Sequence, residues 1–204
     1  MSAAARKRLA LSAKKGGKKP ARLSCPARRT PTEYAQQMNS GPAAADLVRE
    51  SLNSSIRRLL DRDFFLLQAD VNERSITHKL AAYLRAEFPD WDVDCEYNRD
   101  RHDPKRLDLP LRDNVSSDDV HAHTVFPDII VHHRNTGGNL LVIEVKKSSN
   151  REDDTWDCRK LLEYQRQLGY THAAFIRFDV DDQAGRWPSL KWIESEPGVT
   201  PSQG

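Results

Sequence analysis

The chain has 204 residues, 32 of them Lys or Arg and 30 Asp or Glu, with 38% apolar residues, which suits one ordinary domain plus extra chain and makes two domains a squeeze. No stretch approaches the roughly 18 apolar residues of a membrane span, and no apolar run follows the basic N-terminus; this argues against a bilayer helix and a secretory signal, and the expected setting is cytoplasmic. Cys25, Cys95 and Cys158 are an odd number with no CxxC pair, which speaks against a disulfide framework or a cysteine zinc site and fits a reducing compartment.

The near-neutral total conceals a partition. Residues 1–30 carry ten basic side chains and no acidic one, leaving 22 basic and 30 acidic residues in the body. The arm, with Arg6, Lys7, Arg8, Lys14, Lys15, Lys18 and Lys19 at its centre, is rich in Ala, Ser, Gly and Pro. It has too little apolar surface to offset its ordering entropy, so residues 1–43 are expected to be disordered. Its functional reading is loose, salt-sensitive attraction to nucleic acid phosphates; its plain reading is a solubilising extension.

From Ala44, Leu47, Val48, Leu52, Ile56, Leu59 and Leu60 recur at helical spacing to Arg62. Phe64-Phe65-Leu66-Leu67 follows, and then Ile76, Leu80, Leu84 and Phe88 define a second helix over 71–87, stopped by Pro89. Trp91 to Tyr97 alternates as a strand, and Asn98 to Thr124 shows no sustained period. Val125–His132 and Asn139–Lys146 read as an antiparallel hairpin around Asn135-Thr136-Gly137-Gly138; Leu140-Leu141-Val142-Ile143, apolar without alternation, marks a central strand covered on both faces. A helix over 154–168 ending at Gly169, a strand over 172–178 and a short strand over 190–193 complete an α/β domain, 44–196, with a mixed central sheet; 197–204 reads as a flexible tail.

The chemistry-bearing constellation is Pro127-Asp128 at the start of one hairpin strand and Glu144-Val145-Lys146 at the end of the other. Residues i and i+2 of a strand share a face, so Glu144 and Lys146 project together. Ordinary antiparallel register brings Asp128 beside Glu144. Two converging carboxylates repel, and a hard divalent cation relieves that repulsion. Lys146 beside them orients or deprotonates a water, or balances an oxyanion, which is the minimal equipment for metal-assisted phosphodiester hydrolysis. His133 and Arg134, just past the strand, are candidate phosphate contacts. The sharper reading of His121, His123, His132 and His133 as a transition-metal site is weakened because His132 and His133 point to opposite faces.

On Pro127-Asp128, Glu144-Val145-Lys146 and Glu73 at the start of the preceding helix, the sequence resembles the PD-(D/E)xK nuclease superfamily, over about residues 70–180. The resemblance implies a restriction-endonuclease-like αβββαβ core with an extra N-terminal helix. It implies Mg²⁺, for which Mn²⁺ can substitute, bound by Asp128, Glu144 and the Val145 carbonyl. Lys146 would serve the attacking water, and Glu73 would hold a second metal or act through water. On the following helix it extends to Lys160 and Gln165 as phosphate or site-supporting groups. The function implied is endonuclease-type hydrolysis of DNA, in a cytoplasmic or nucleoid-associated setting, with a homodimer suited to double-strand cutting. The competing readings are a catalytically silent nucleic acid-binding or assembly module of the same fold, favoured by the acidic body, and a domain that binds a protein partner.

If the arm tracks phosphates, deleting residues 1–30 weakens DNA binding and flattens the dependence of log K on log salt, in proportion to the phosphates no longer neutralised. Binding measured between about 50 and 200 mM salt checks this; an unchanged slope removes the arm from recognition.

Overall fold

The computed structural model describes residues 42–97 and 126–194, with four two-residue strands from the segment between. The basic arm expected over 1–43 lies outside the described residues, except that Pro42 and Ala43 begin the first helix; the tail expected over 197–204 lies outside them as well.

Helix α1 spans Pro42–Arg62, with proline at the first helical position, where a missing N–H costs nothing. Val48, Leu52, Ile56 and Leu59 form its fully buried stripe. A short α2, Phe64–Gln68, leads into α3, Glu73–Glu87, whose Asn72 cap accepts the Arg74 N–H at 2.9 Å. Ile76, Leu80 and Leu84 are the buried face of α3. Strand β1 is Asp92–Cys95, and two small antiparallel ladders follow, β2 (Arg99–Asp100) with β3 (Asp103–Pro104) and β4 (Arg106–Leu107) with β5 (His123–Thr124). The hairpin is β6, Ile129–His132, and β7, Asn139–Lys147; α4 spans Thr155–Leu168, β8 His172–Phe178, and β9 Ser189–Ile193 after a 3-10 turn at Asp181–Gln183.

The architecture is mixed α/β around a five-stranded open sheet in the order β1-β6-β7-β8-β9. All neighbours are antiparallel except β7 and β8, whose parallel pairing requires the α4 crossover. One face, with Ile129, Val131, Leu141, Ile143, Ala174 and Ile176, packs against α1 and α3. The other, with Ile130, Val142, Ala173 and Phe175, packs against Leu161 and Tyr164 of α4. Each fully buried Leu or Ile contributes roughly 1.5–3 kcal/mol, whereas an exposed pair such as Arg49–Glu194 is worth at most about 1 kcal/mol, so apolar burial sets how the layers stack. Among the described residues no helix is long and apolar enough to cross a membrane.

Two strands are shorter than expected, each for a visible reason. β1 stops at Cys95 because Glu96 adopts a left-handed φ of 49° and turns its N–H to the Pro127 carbonyl at 3.0 Å. β6 begins at Ile129 rather than Val125, because Pro127 has no N–H for a ladder and Asp128 sits in a bend. Gly169, at φ 68°, ends α4 with its N–H on the Gln165 carbonyl. Space around it is open, so Gly169→Ala incurs only the left-handed backbone penalty, about 1 kcal/mol in urea unfolding. Gly137→Ala, in open space without a positive φ, leaves the midpoint unchanged.

Candidate active site

The site is built where β7 outruns β6. Their register pairs Ile129 with Ile143, so one step further Asp128 lies opposite Glu144. Beyond that point β7 stays paired to β8 as far as Lys147, but its other edge has lost its partner. Backbone N–H groups at i and i+2 point to the same edge, and here both are taken by carboxylates. Val145 N–H donates to Asp128 Oδ2 at 2.7 Å, and Lys147 N–H to Glu73 Oε2 at 3.0 Å. The Val145 carbonyl shares the edge of its own N–H, where Pro127 has no donor to offer it.

Glu73 is placed there by the turn that opens α3. Lys147 Nζ donates to the carbonyls of Asp70 and Val71, at 3.3 and 2.8 Å, and pairs with Asp70 Oδ1 at 2.8 Å. The ammonium and the Ser149 hydroxyl hold the Asp70 carboxyl below its usual range. One β7 residue thus fixes α3 through both its backbone and its side chain. Glu73 and Asp128 share a cleft of about 450 Å³ with Thr77, His78, Cys95 and Phe126.

On the α4 face of β7, Glu144 and Lys146 are buried at 4% and 6% exposure. Lys160 Nζ, from the second turn of α4, donates to Glu144 Oε2 at 2.9 Å and lies 3.0 Å from Asp157 Oδ1. Lys146 pairs with the other oxygen of Asp157 and donates to the Asp153 carbonyl at 3.3 Å. Glu144 Oε1 is buried without a hydrogen-bond partner. Burial first, and then the neighbouring Asp128, push the Glu144 carboxyl up to about 8. Asp128 is raised to about 6, again chiefly by burial, with Glu73 and Asp157 adding repulsion while the Val145 N–H and Lys160 oppose it. Burial works against the charge of Lys160, but Glu144 and Asp157 hold its ammonium above the ordinary value.

The structure therefore brings together Asp128, Glu144, Lys146, Glu73, Val145 and Lys160. It does not bring in His133, Arg134 or Gln165. His133 and Arg134 follow the last residue of β6, at the end away from Asp128; His133 stacks on Trp91 with ring centroids 4.0 Å apart, and Arg134 is bound to Asp92 and Asp94, which lie opposite His132 and Ile130. The hairpin turn thus sets the backbone of both beyond the end of β6 that lies away from Asp128. Gln165 donates to the Thr171 carbonyl at 3.5 Å near the far end of α4, so it too is removed from the site. The arm residues Arg6, Lys7, Arg8, Lys14, Lys15, Lys18 and Lys19 lie outside the described residues. Sequence reasoning missed Asp157, which joins the two lysines. Its one signal was the i, i+3 spacing to Lys160, which puts both on one side of a helix.

Among the described residues no three His, Cys, Asp or Glu side chains form a ready-made metal cluster. What fits a hard cation is the opposed Asp128–Glu144 pair, with its orphaned buried oxygen and raised carboxyls, an all-oxygen donor set suited to Mg²⁺. Compared with models of known protein families, with curated proteins and with solved structures, the chain matches none.

The raised carboxyls fix the sign of a pH dependence. Each group is more easily protonated folded than unfolded, so its contribution to stability is complete below about pH 4 and is lost as pH rises through about 6 for Asp128 and about 8 for Glu144. The metal-free protein should lose thermal stability across that window. Glu144→Gln should flatten the upper part of the decline and raise Tm at pH 8 by several degrees, since about 1 kcal/mol shifts a domain of this size by roughly 2–4 °C. A Glu144→Gln profile superimposable on that of the wild type would show that Glu144 is not held in its neutral form.

Proposed function

We propose that this chain is a Mg²⁺-dependent phosphodiester hydrolase of endonuclease type, with DNA as substrate and the restriction-endonuclease-like fold of the PD-(D/E)xK superfamily. The observation that carries the reading is the juxtaposition of Asp128 and Glu144 across the β6–β7 register, at the point where β7 loses its partner. The helix-first order, the antiparallel β1-β6-β7 meander and the β7-α4-β8 crossover agree with that fold.

Asp128, Glu144 and the Val145 carbonyl would hold the metal, with Glu73 at the cleft side of Asp128 as the additional carboxylate. Bound there, Mg²⁺ supplies Lewis-acid polarisation of a phosphoryl oxygen and makes water a better nucleophile. The remaining work falls to the chain. Asp128, anchored through Val145 N–H, keeps its carboxylate fixed in the cleft wall. The ammonium groups beneath α4 balance negative charge that grows during phosphoryl transfer, in a setting where burial strengthens their effect. Cleft residues Arg74 and His78 are available to the substrate backbone, although Arg74 must first leave Glu96, which it contacts at 2.7 Å.

The alternative of a catalytically silent binding or assembly module is favoured by one observation: Glu144 already has a partner in Lys160, without any metal. Calorimetric titration with Mg²⁺ and Mn²⁺, joined to cleavage assays on single-stranded, duplex and branched DNA, separates the two. Wild type should take up metal, release protons on doing so, and bind more tightly as pH rises from 6 to 8, because its ligands must ionise. Asp128→Asn should lose metal uptake and lower cleavage by about a thousandfold, the scale for removing an electrostatic catalyst. A wild type that neither binds metal nor cuts any substrate returns the chain to the silent reading.

A further inference from the structure

Two lysines lie under α4, and the geometry does not treat them alike. Lys146, the strand residue two beyond Glu144, turns its ammonium to Asp157 and to the Asp153 carbonyl in the first turn region of the helix. Lys160 spans the gap instead, reaching Glu144 at 2.9 Å while keeping Asp157 at 3.0 Å. Lys160 is also the less buried of the two, with its side chain 17% exposed against 7% for Lys146, so it has the shorter route to a ligand arriving from solvent. Asp157 divides the pair, one carboxylate oxygen to each lysine.

We infer that Lys160, not Lys146, is the ammonium that serves the carboxylate pair: it occupies Glu144 Oε2 before a divalent cation arrives, and afterwards is released to hold a phosphodiester oxygen. This rests on the hydrolase reading and assigns a residue within it. A cation at Asp128 and Glu144 competes with the Lys160 ammonium for the same carboxylate charge. Once Glu144 is engaged elsewhere, Lys160 keeps Asp157 as its anchor and frees the donors it had turned toward Glu144. Lys146 is then a positioning residue, tying the end of β7 to the start of α4 through Asp157.

Full-length wild type, Lys160→Met, Lys160→Gln, Lys160→Arg and Lys146→Met separate these roles, with folding checked by circular dichroism. Mg²⁺ alone is titrated calorimetrically, and duplex DNA cleavage is followed at saturating Mg²⁺. Removing a competing charge a few ångströms from the ligands should tighten Mg²⁺ binding about tenfold in both neutral Lys160 variants, and less in Lys146→Met. The same Lys160→Met and Lys160→Gln proteins should cleave at least about a hundredfold more slowly despite binding metal better, with partial recovery in Lys160→Arg, the pattern of a group that acts on the reacting phosphate. Unchanged or weaker Mg²⁺ binding in both neutral Lys160 variants, or a larger tightening in Lys146→Met, overturns the assignment and leaves the hydrolase reading standing if wild type binds and cuts. A wild type without metal uptake or cleavage overturns both.

Discussion

The unpartnered edge of β7 is the constraint on which the rest of the site depends. A strand that continues past its neighbour exposes N–H groups that must find acceptors, and leaving one buried and unmade costs roughly 1–3 kcal/mol. Here the acceptors for Val145 and Lys147 are Asp128 and Glu73. The same carboxylates that give the cleft its acidity therefore finish the sheet. This explains why Asn is the informative replacement at Asp128: an amide oxygen can still accept the Val145 N–H, whereas Ala would confound loss of chemistry with loss of a strand cap.

Gathering five ionisable side chains in one small volume, Glu144 and Lys146 buried and Asp128, Asp157 and Lys160 partly so, is expensive, and the arrangement limits the expense by pairing rather than by hydration. Asp157 satisfies two lysines, and Lys160 satisfies two carboxylates. The cluster is left with one unbalanced feature, the Asp128 carboxyl set opposite Glu144 by the strand register, with the orphaned Glu144 Oε1 beside it. Several kcal/mol per isolated ion is the cost of desolvation, so an arrangement of this kind is retained at the expense of stability, not in its service. That is the physical reason for reading the pair as a site and Asp94–Arg134, whose partners simply hold each other, as structure.

How much of this was legible in the sequence can be judged residue by residue. The apolar run Leu140–Ile143 announced a strand covered on both faces, and β7 is the middle of the five-stranded sheet. Gly169 announced the end of α4 because only its left-handed conformation was at stake. Asp128 and Glu144 were found together because antiparallel register depends on local chain geometry alone. His133 and Arg134, adjacent in sequence to the same strand, are not gathered with the carboxylates: four residues of β6 separate its two ends, and they follow the end away from Asp128. Asp157 and the division of the lysines were beyond a pattern of types and spacings. Which lysine meets Glu144 is decided by how α4 lies over β7, a tertiary fact.

That placement of α4 in turn follows from the single parallel pairing in the sheet. Because β8 runs alongside β7 in the same direction, the chain must leave the far end of β7 and return over the sheet face before β8 can begin. The first two turns of α4 necessarily overlie the end of β7, where Glu144 and Lys146 project, and its later turns lie over the apolar part of the strand. The sequence of α4 respects this division: Asp157 and Lys160 come first, then Leu161 and Tyr164 reach the apolar cluster around Val142 and Phe175. An antiparallel return through a short hairpin would have left Glu144 facing solvent with no lysine to meet it. The charged cluster is therefore a consequence of topology, and a substitution that displaced the start of α4 would dismantle it without touching any of its members.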